Sequence, residues 1–142
     1  MKQTTCICAR LRRASRRVSR IYDDALAGTG LNVAQFSLLR AIERTGRPSL
    51  TELAEATGLD ASTLGRNVRV LEKTDLARFS PGTDKRTRVI DLTETGSARL
   101  AGAVARWNAA QSDLDARLGP GGRDRLFAML DAVEAAPQDA QQ

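Results

Sequence analysis

Apolar residues recur at every third or fourth position along most of the chain, a spacing that predicts amphipathic helices. We expect helices over residues 8–27, 33–45 and 94–118, and a last one from about residue 120. Two shorter helices are expected on either side of Gly58, ending near residue 73. Between residues 77 and 92, β-branched and aromatic residues surround Pro81-Gly82, which predicts a β-hairpin reversing at that dipeptide. The pattern therefore predicts a mainly α fold with one small β-hairpin.

Cap signals sharpen these boundaries. Asn32 and Asp60 are suited to N-cap positions, Thr93 to the start of the long helix, and Ser49 with Glu52 to a capping box. Inward-facing residues are expected at Phe36, Leu38, Leu39 and Ile42, at Leu64, Val68 and Leu71, and at Ile90 and Leu92.

The N-terminal helix and the two C-terminal helices together carry more apolar surface than one small lobe can cover. Their stripes predict a homodimer with two-fold symmetry, the commonest symmetric assembly, in which the helices pack against a second copy. The residues expected in this seam are Leu11, Val18, Ile21, Leu100, Val104 and Leu130.

The helix over residues 61–73 has one apolar face and one basic, polar face. Because a helix turns by about 100° per residue, the polar side chains line up opposite the apolar ones. If the preceding helix and Gly58 complete a helix-turn-helix, its first turns face DNA bases. We expect base contacts from Ser62, Thr63, Arg66 and Asn67, and phosphate contacts from Arg69, Lys73 and the helix start at Ser49 and Thr51. A solvated surface helix is the alternative interpretation.

The tip of the hairpin is basic. Lys85, Arg86 and Arg88 accompany a single acid, Asp84, and would form a wing contact with phosphate or the minor groove. We expect Asp84 to support the wing by aiming a neighbouring arginine. A mobile, charged loop is the alternative.

The run Asp84-x-Arg86, followed by Val89-x-Asp91-Leu92-Thr93-x-x-Gly96, resembles the wing signature of the MarR family of transcriptional regulators. Residues 66–73, with Leu76, resemble its recognition helix. The resemblance implies dimers of winged helix-turn-helix lobes that bind palindromic operators and are released by a small ligand or an oxidant. It also implies a ligand pocket, which we expect near Tyr22 and Phe36.

On this basis residues 1–142 form a single MarR-like domain. Residues 31–96 would be the DNA-binding lobe, and residues 1–30 and 97–142 the dimerisation helices.

Composition narrows the classes of function. Lysine and arginine number 22 against 17 acids, a net charge of +5, which suits a nucleic-acid partner. The absence of histidine removes imidazole from metal binding and from nucleophilic catalysis. With no glycine-rich phosphate loop, paired-carboxylate motif or metal cluster, we predict no enzyme, metal or cofactor. No run approaches the ~20 apolar residues of a membrane span and no signal peptide is evident, so we expect a cytoplasmic protein without a membrane partner.

The two cysteines lie close together near the N-terminus. Cys6 and Cys8 are interpreted either as ordinary thiols or as a redox sensor, in which neighbouring arginines would favour the thiolate.

The function expected is that of a homodimeric DNA-binding regulator, working as a repressor whose effector is a small molecule or an oxidant. The operator, the inducer and the choice between repressor and activator are left open by the residues. The alternative is a winged-helix interaction module that binds an acidic protein partner.

Overall fold

The computed structural model describes residues 5–135. Its elements follow the order α1 (Ile7–Ala25), α2 (Val33–Thr45), α3 (Leu50–Thr57), α4 (Ala61–Lys73), β1 (Ala77–Pro81), β2 (Arg88–Leu92), α5 (Glu94–Leu118) and α6 (Gly122–Glu134). The chain divides into two compact units between Trp107 and Asn108. The mainly α fold with one hairpin, predicted from the sequence, is confirmed.

The helix boundaries are set by local hydrogen bonds at the predicted caps. Asn32 and Gln35 form a capping box at the start of α2, and Ser49 and Glu52 form another at the start of α3. Thr93 Oγ1 accepts a hydrogen bond from the Gly96 N–H at 2.9 Å and so caps α5. These side chains satisfy backbone donors that would otherwise lack partners at each helix start.

A single apolar core joins α2, α3, α4 and the hairpin in the first unit. Its fully buried members, at most 2% exposed, include Phe36, Leu39, Ile42, Leu53, Leu64, Val68, Leu71 and Ile90. The inward faces predicted for α2, α4 and β2 are therefore confirmed, and Leu92 packs against the same core. We call residues 31–96, which surround this core, the lobe.

The connection from α3 to α4 needs a left-handed residue. Gly58 ends α3 with φ 70°, a conformation that costs glycine little, and Asp60 starts α4 three residues after Thr57. The short break between two packed helices, followed by the hairpin, gives the predicted winged helix-turn-helix.

The hairpin reverses later than predicted. Pro81 pairs with Arg88 and is the last residue of β1, so the expected turn at Pro81-Gly82 is wrong. The reversal occurs over residues 84–87, where the Thr87 N–H donates to Asp84 O at 2.9 Å. The physical reason is that proline is tolerated on an edge strand, where a missing donor costs little.

The start of α5 passes very close to Leu76, in the turn between α4 and β1. A Cβ placed on Gly96 would lie 1.9 Å from the Leu76 carbonyl oxygen, so only glycine fits there. Further along, Leu100 is 1% exposed and Val104 packs against the lobe core. The prediction that Leu100 belongs to a dimer seam is therefore wrong, because its own chain covers it. The 3–4 spacing identified an apolar face without showing what covers that face.

Helix α1 presents its apolar stripe to solvent. No residue within α1 is buried, and Leu11 and Val18 are each 38% exposed.

In the second unit, α6 exposes Phe127 by 52% and Val133 by 49%. Gly119 and Gly121 take left-handed conformations before α6, which begins two residues after the predicted Pro120. An ion pair of 2.6 Å joins Arg123 to Asp115 within this unit.

Among residues 5–135, no helix is both long and apolar enough to cross a bilayer.

Candidate nucleic-acid interface

The polar first turn of α4 is organised by Asp60. Its carboxylate accepts the Thr63 backbone N–H at 2.8 Å, the Ser62 hydroxyl at 2.7 Å and the Thr63 hydroxyl at 2.8 Å. The backbone bond from Thr63, followed by the bonds from the two hydroxyls, lowers the pKa of Asp60 to about 2. Because both hydroxyls donate to Asp60, each can offer only its oxygen lone pairs to a ligand. The base contacts of Ser62 and Thr63 stay predictions, and in this arrangement both hydroxyls would act as hydrogen-bond acceptors.

The next turns of α4 carry the unpaired polar side chains. Arg66 and Asn67 are exposed, and within residues 5–135 neither side chain has a hydrogen-bond partner. On the opposite face, Leu64, Val68 and Leu71 anchor the helix in the core. These two residues therefore stand on a firmly held helix with their hydrogen-bonding groups available. Arg69 and Lys73 are also exposed, and their phosphate contacts stay predictions.

A groove lies between the start of α3, the middle of α4 and the wing, the name we give to the hairpin β1–β2 with its tip. Its volume is about 460 Å³. The groove brings together several residues predicted from separate parts of the sequence: Ser49, Thr51, Arg69, Arg86 and Arg88. The rest of the lining consists of five residues that were not assigned from the sequence: Leu50, Gly65, Glu72, Phe79 and Thr87. The other residues predicted to contact DNA do not line this groove: Ser62, Thr63, Arg66, Asn67, Lys73 and Lys85.

Arg88 has a partner within the wing. Its guanidinium carbon lies 4.5 Å from the centre of the Phe79 ring, a cation–π geometry. The side chain stays exposed, so a DNA contact remains a prediction, but its direction is set by Phe79. Arg86 and Lys85 at the tip are exposed, and the ion pairs and hydrogen bonds of residues 5–135 do not involve their side chains.

Asp84 supports the wing in a different way from the one predicted. Its Oδ1 accepts a hydrogen bond from the Arg86 backbone N–H at 3.1 Å, and the ion pairs among residues 5–135 do not include it. The expectation that Asp84 aims an arginine side chain is therefore wrong. A carboxylate two residues before a backbone donor forms an Asx turn instead, which shapes the tip.

The carboxylate that does pair with an arginine lies at the base of the wing. Arg47 Nε donates to Asp91 Oδ1 at 2.7 Å, and the Ser80 hydroxyl donates to Asp91 Oδ2 at 2.8 Å. Burial raises the pKa of Asp91, but the bonds from Ser80 and Arg47 and the charges of Arg47 and Arg78 outweigh it, and the net shift is downward. Sequence reasoning missed this contact because Arg47 and Asp91 are 44 residues apart.

An aromatic stack occupies the region where a ligand pocket was expected. The ring of Trp107 lies 5.6 Å from that of Phe36 and 6.2 Å from that of Tyr22, centre to centre. Phe36 is 1% exposed and belongs to the core. A pocket lined by Tyr22 and Phe36 stays a prediction.

Cys6 and Cys8 are both exposed and do not form a disulfide. Within residues 5–135, histidine, cysteine and acidic side chains form no group of three or more that could hold a metal ion.

Comparison with known proteins agrees with this geometry. The sequence profile of the MarR family matches residues 29–87. The transcriptional regulator MosR of M. tuberculosis, solved in complex with DNA, is 36% identical, with a TM-score of 0.80 over 92% of this chain and 97% of MosR. The chain belongs to the MarR family. Its neighbours in this family are transcriptional regulators, not enzymes.

This MarR-family chain is also similar to two further proteins. The HTH-type transcriptional repressor NicR of Pseudomonas putida is 34% identical over 91 residues, which is 63% of this chain and 58% of NicR. The chain thus spans little more than half the length of that curated relative. BpsR of Bordetella bronchiseptica, whose DNA binding is regulated by 6-hydroxynicotinic acid, is 25% identical with a TM-score of 0.82, over 96% of this chain and 99% of BpsR.

Proposed function

We propose that this MarR-family regulator binds DNA sequence-specifically as a homodimer and represses transcription from a palindromic operator. The observation that carries the proposal is the pair Arg66 and Asn67. Both are exposed and unpaired within residues 5–135, on a helix whose other face is fully buried. Arginine pairs with guanine and asparagine with adenine in the major groove, and this part of a recognition helix reaches the base edges.

Phosphate contacts are assigned to the groove and to its surroundings. The start of α3 offers an anion the Thr51 backbone N–H and the Ser49 hydroxyl, because the Ser49 backbone N–H already donates to Glu52 Oε2 at 2.9 Å. Arg69 lines the same groove and Lys73 lies one turn beyond it on α4. Glu72 also lines the groove and would repel a phosphate placed beside it. We therefore assign the phosphate to the Ser49 side of the groove.

The wing supplies a separate contact. Lys85 and Arg86 are exposed at the tip, and Arg88 follows them on β2. We assign Arg86 to the minor groove beside the recognition helix, where a narrow A·T-rich groove attracts a cation. Lys85 and Arg88 would contact the flanking phosphates.

Two copies would associate through the exposed apolar residues of the terminal helices. Leu11 and Val18 are each 38% exposed, Ile21 is half-buried in α1, and Leu130 is half-buried in α6. Val104 is kept at the margin of this surface, since it is only partly covered by the core. A two-fold dimer with one recognition helix per copy would place half-site centres ~10–10.5 bp apart.

Repression and its relief are inferred by similarity. NicR is a repressor, and the DNA binding of BpsR is regulated by 6-hydroxynicotinic acid. We infer that a small molecule also controls this protein, which would act in the cytoplasm. The alternative effector is an oxidant that acts on the exposed thiols of Cys6 and Cys8, as expected from the sequence.

The deciding experiment is selection of duplexes from a random pool by the purified protein, followed by fluorescence anisotropy on the selected site and on random DNA. A regulator should prefer the selected palindrome by a factor of about 10³ or more and lose affinity steeply as salt rises. An interaction module for an acidic protein would bind neither duplex at low or high salt. Sedimentation at micromolar concentration tests the dimer, and a monomer would overturn that part of the proposal.

A further inference from the structure

The residue before Pro48 has an unusual backbone. Arg47 has a φ of 53°, in the left-handed region that glycine adopts readily and a long side chain does not. It follows Gly46, which is itself left-handed and ends α2. A non-glycine residue held in such a conformation calls for an explanation in what its side chain does.

The Arg47 side chain reaches across to the wing. Its 2.7 Å bond to Asp91, together with the 2.8 Å bond from Ser80 to the same carboxylate, joins three segments. Asp91 lies on β2, Ser80 on β1, and Arg47 on the corner between α2 and α3. One carboxylate therefore connects both strands of the wing to that corner.

The backbone makes the same connection. The Ile90 N–H donates to Pro48 O at 2.8 Å, and Ser49 forms an isolated antiparallel bridge with Val89. Residues 47–49 thus run beside β2, immediately before the N-cap of α3. The position of the wing is coupled to the position of the α3 start, and both line the groove described above.

We expect the Arg47–Asp91 ion pair to contribute little to the stability of the fold. The Arg47 side chain is 63% exposed, and exposed ion pairs add little to folding stability because water screens them. The ion pair is better explained as a contact that fixes the position of the wing. The Asp91 side chain, on β2 of the wing, is only 15% exposed and therefore held in place. The Arg47 side chain approaches it from the solvent side.

We propose that Arg47, Asp91 and Ser80 form a latch that sets the position of the wing against α3 and α4, and so decides how much the wing contributes to DNA affinity. These are positioning residues and do not themselves contact DNA. The inference rests on the proposed function and adds to it the part of the lobe that controls the wing.

The test is a double-mutant cycle between Arg47→Gly and Arg86→Ala, measured by anisotropy on the selected operator. Arg47→Gly suits this purpose because glycine accepts the left-handed backbone, so the fold is retained while the latch is lost. Arg86→Ala should weaken the wild-type protein by about fivefold to tenfold, and the Arg47→Gly protein by less than about twofold, since contacts that share one network are not additive. An equal factor in both backgrounds overturns the latch.

Asp91→Ala separates the latch from simple charge effects, because alanine removes both the charge and the two oxygens that accept from Arg47 and Ser80. Losing a negative charge should tighten DNA binding if general electrostatics decided the outcome. The latch predicts instead that the Arg86→Ala penalty shrinks, as it does with Arg47→Gly. A full Arg86→Ala penalty in the Asp91→Ala protein contradicts the proposal. Because the two latch variants alter different residues, a folding defect in one, seen as a lower melting temperature, leaves the other decisive.

Two controls complete the design. Arg40→Ala removes one positive charge from the neighbouring helix and breaks only a 3.9 Å surface pair with Glu43, so it should leave the Arg86→Ala penalty intact. The Arg47 Nε–H resonance should exchange slowly with water in the wild type and rapidly in Asp91→Ala, and equal exchange rates in both would exclude this bond.

The failures of the two proposals can be told apart. If Arg86→Ala costs nothing in the wild type while the operator is still bound, the latch has no contact to position and is overturned, yet the proposed function stands. If the wild type prefers no duplex over random DNA, the proposed function fails first and the latch falls with it.

Discussion

Helix α4 and the wing face the same groove but are held by different forces. Three fully buried side chains, Leu64, Val68 and Leu71, fix α4 in the core. The wing places two residues, Ala77 and Ile90, among those at most 2% exposed, and Phe79 and Leu92 pack partly against the core. Polar contacts add to this packing. Those contacts are the Arg47–Asp91 pair, the Ser80 bond to Asp91, and the stacking of Arg88 on Phe79.

This difference predicts different behaviour in the two parts. Charge screening by salt weakens exposed ion pairs but does not weaken apolar burial. Among residues 5–135, the polar side chains of α4 beyond its first turn form no hydrogen bond or ion pair and are available to bases, while those of the wing are partly used to shape the wing itself. We expect α4 to act as a fixed reader of sequence and the wing as an adjustable contact.

The largest effect should come from breaking the anchor of α4. Leu64→Ala removes a side chain that is 0% exposed and should lower the free energy of unfolding by ~2–5 kcal/mol. Val70→Ala is the matched control on the same helix, because Val70 is 50% exposed and should cost ~0.5 kcal/mol or less. Urea denaturation measures both, and similar losses would mean that α4 is not anchored as described.

The next effect concerns what α4 reads. Arg66→Ala should cost ~1–3 kcal/mol on the selected operator and relax the preference at one base pair. Lys73→Ala should weaken all duplexes about equally and reduce the salt slope by roughly one. Anisotropy on the operator, its single-base variants and random DNA distinguishes the two. An equal loss for Arg66→Ala on operator and random DNA would make Arg66 a phosphate contact.

The wing should give a smaller and different loss. Arg86→Ala is expected to flatten the preference for A·T-rich flanks while leaving the core half-site preference unchanged. Asp84→Ala should produce a milder form of this loss, because it loosens the Asx turn at the tip without removing the cation. Operators that differ only in flanking A·T content measure both variants. Identical flank dependence in wild type and Arg86→Ala would show that the tip remains in solvent.

Local signals explain why so much of the fold was predictable. The caps at Asn32, Ser49 and Thr93 depend on residues at most three positions away, and each is confirmed. The faces of α2 and α4 follow from helical periodicity, which needs no knowledge of distant residues.

The predictions that were wrong or missing depend instead on contacts between residues far apart in the sequence. The Arg47–Asp91 contact joins residues 44 apart and leaves no trace in local spacing. The apolar face that includes Leu100 was visible in the sequence, but the chain that covers it was not. At Pro81, the turn propensity of Pro-Gly was overridden by strand pairing with Arg88. Tertiary partners, rather than local preference, decided each of these cases.

The smallest predicted effect lies at the start of α4 and is a change with pH. Three hydrogen bonds from Thr63 and Ser62 favour the ionised form of Asp60 and lower its pKa from 3.8 to about 2. A carboxyl group whose pKa is depressed by folding adds stability that is fully present above about pH 3.8 and is lost as the pH falls towards 2. A carbonyl-carbon NMR titration should therefore place the midpoint for Asp60 near 2. The double variant Ser62→Ala, Thr63→Ala should raise that midpoint without restoring 3.8, because the Thr63 backbone N–H, the largest cause, remains. A midpoint that does not move in this variant would mean that the two hydroxyls are not bound to Asp60 and are free to donate to DNA.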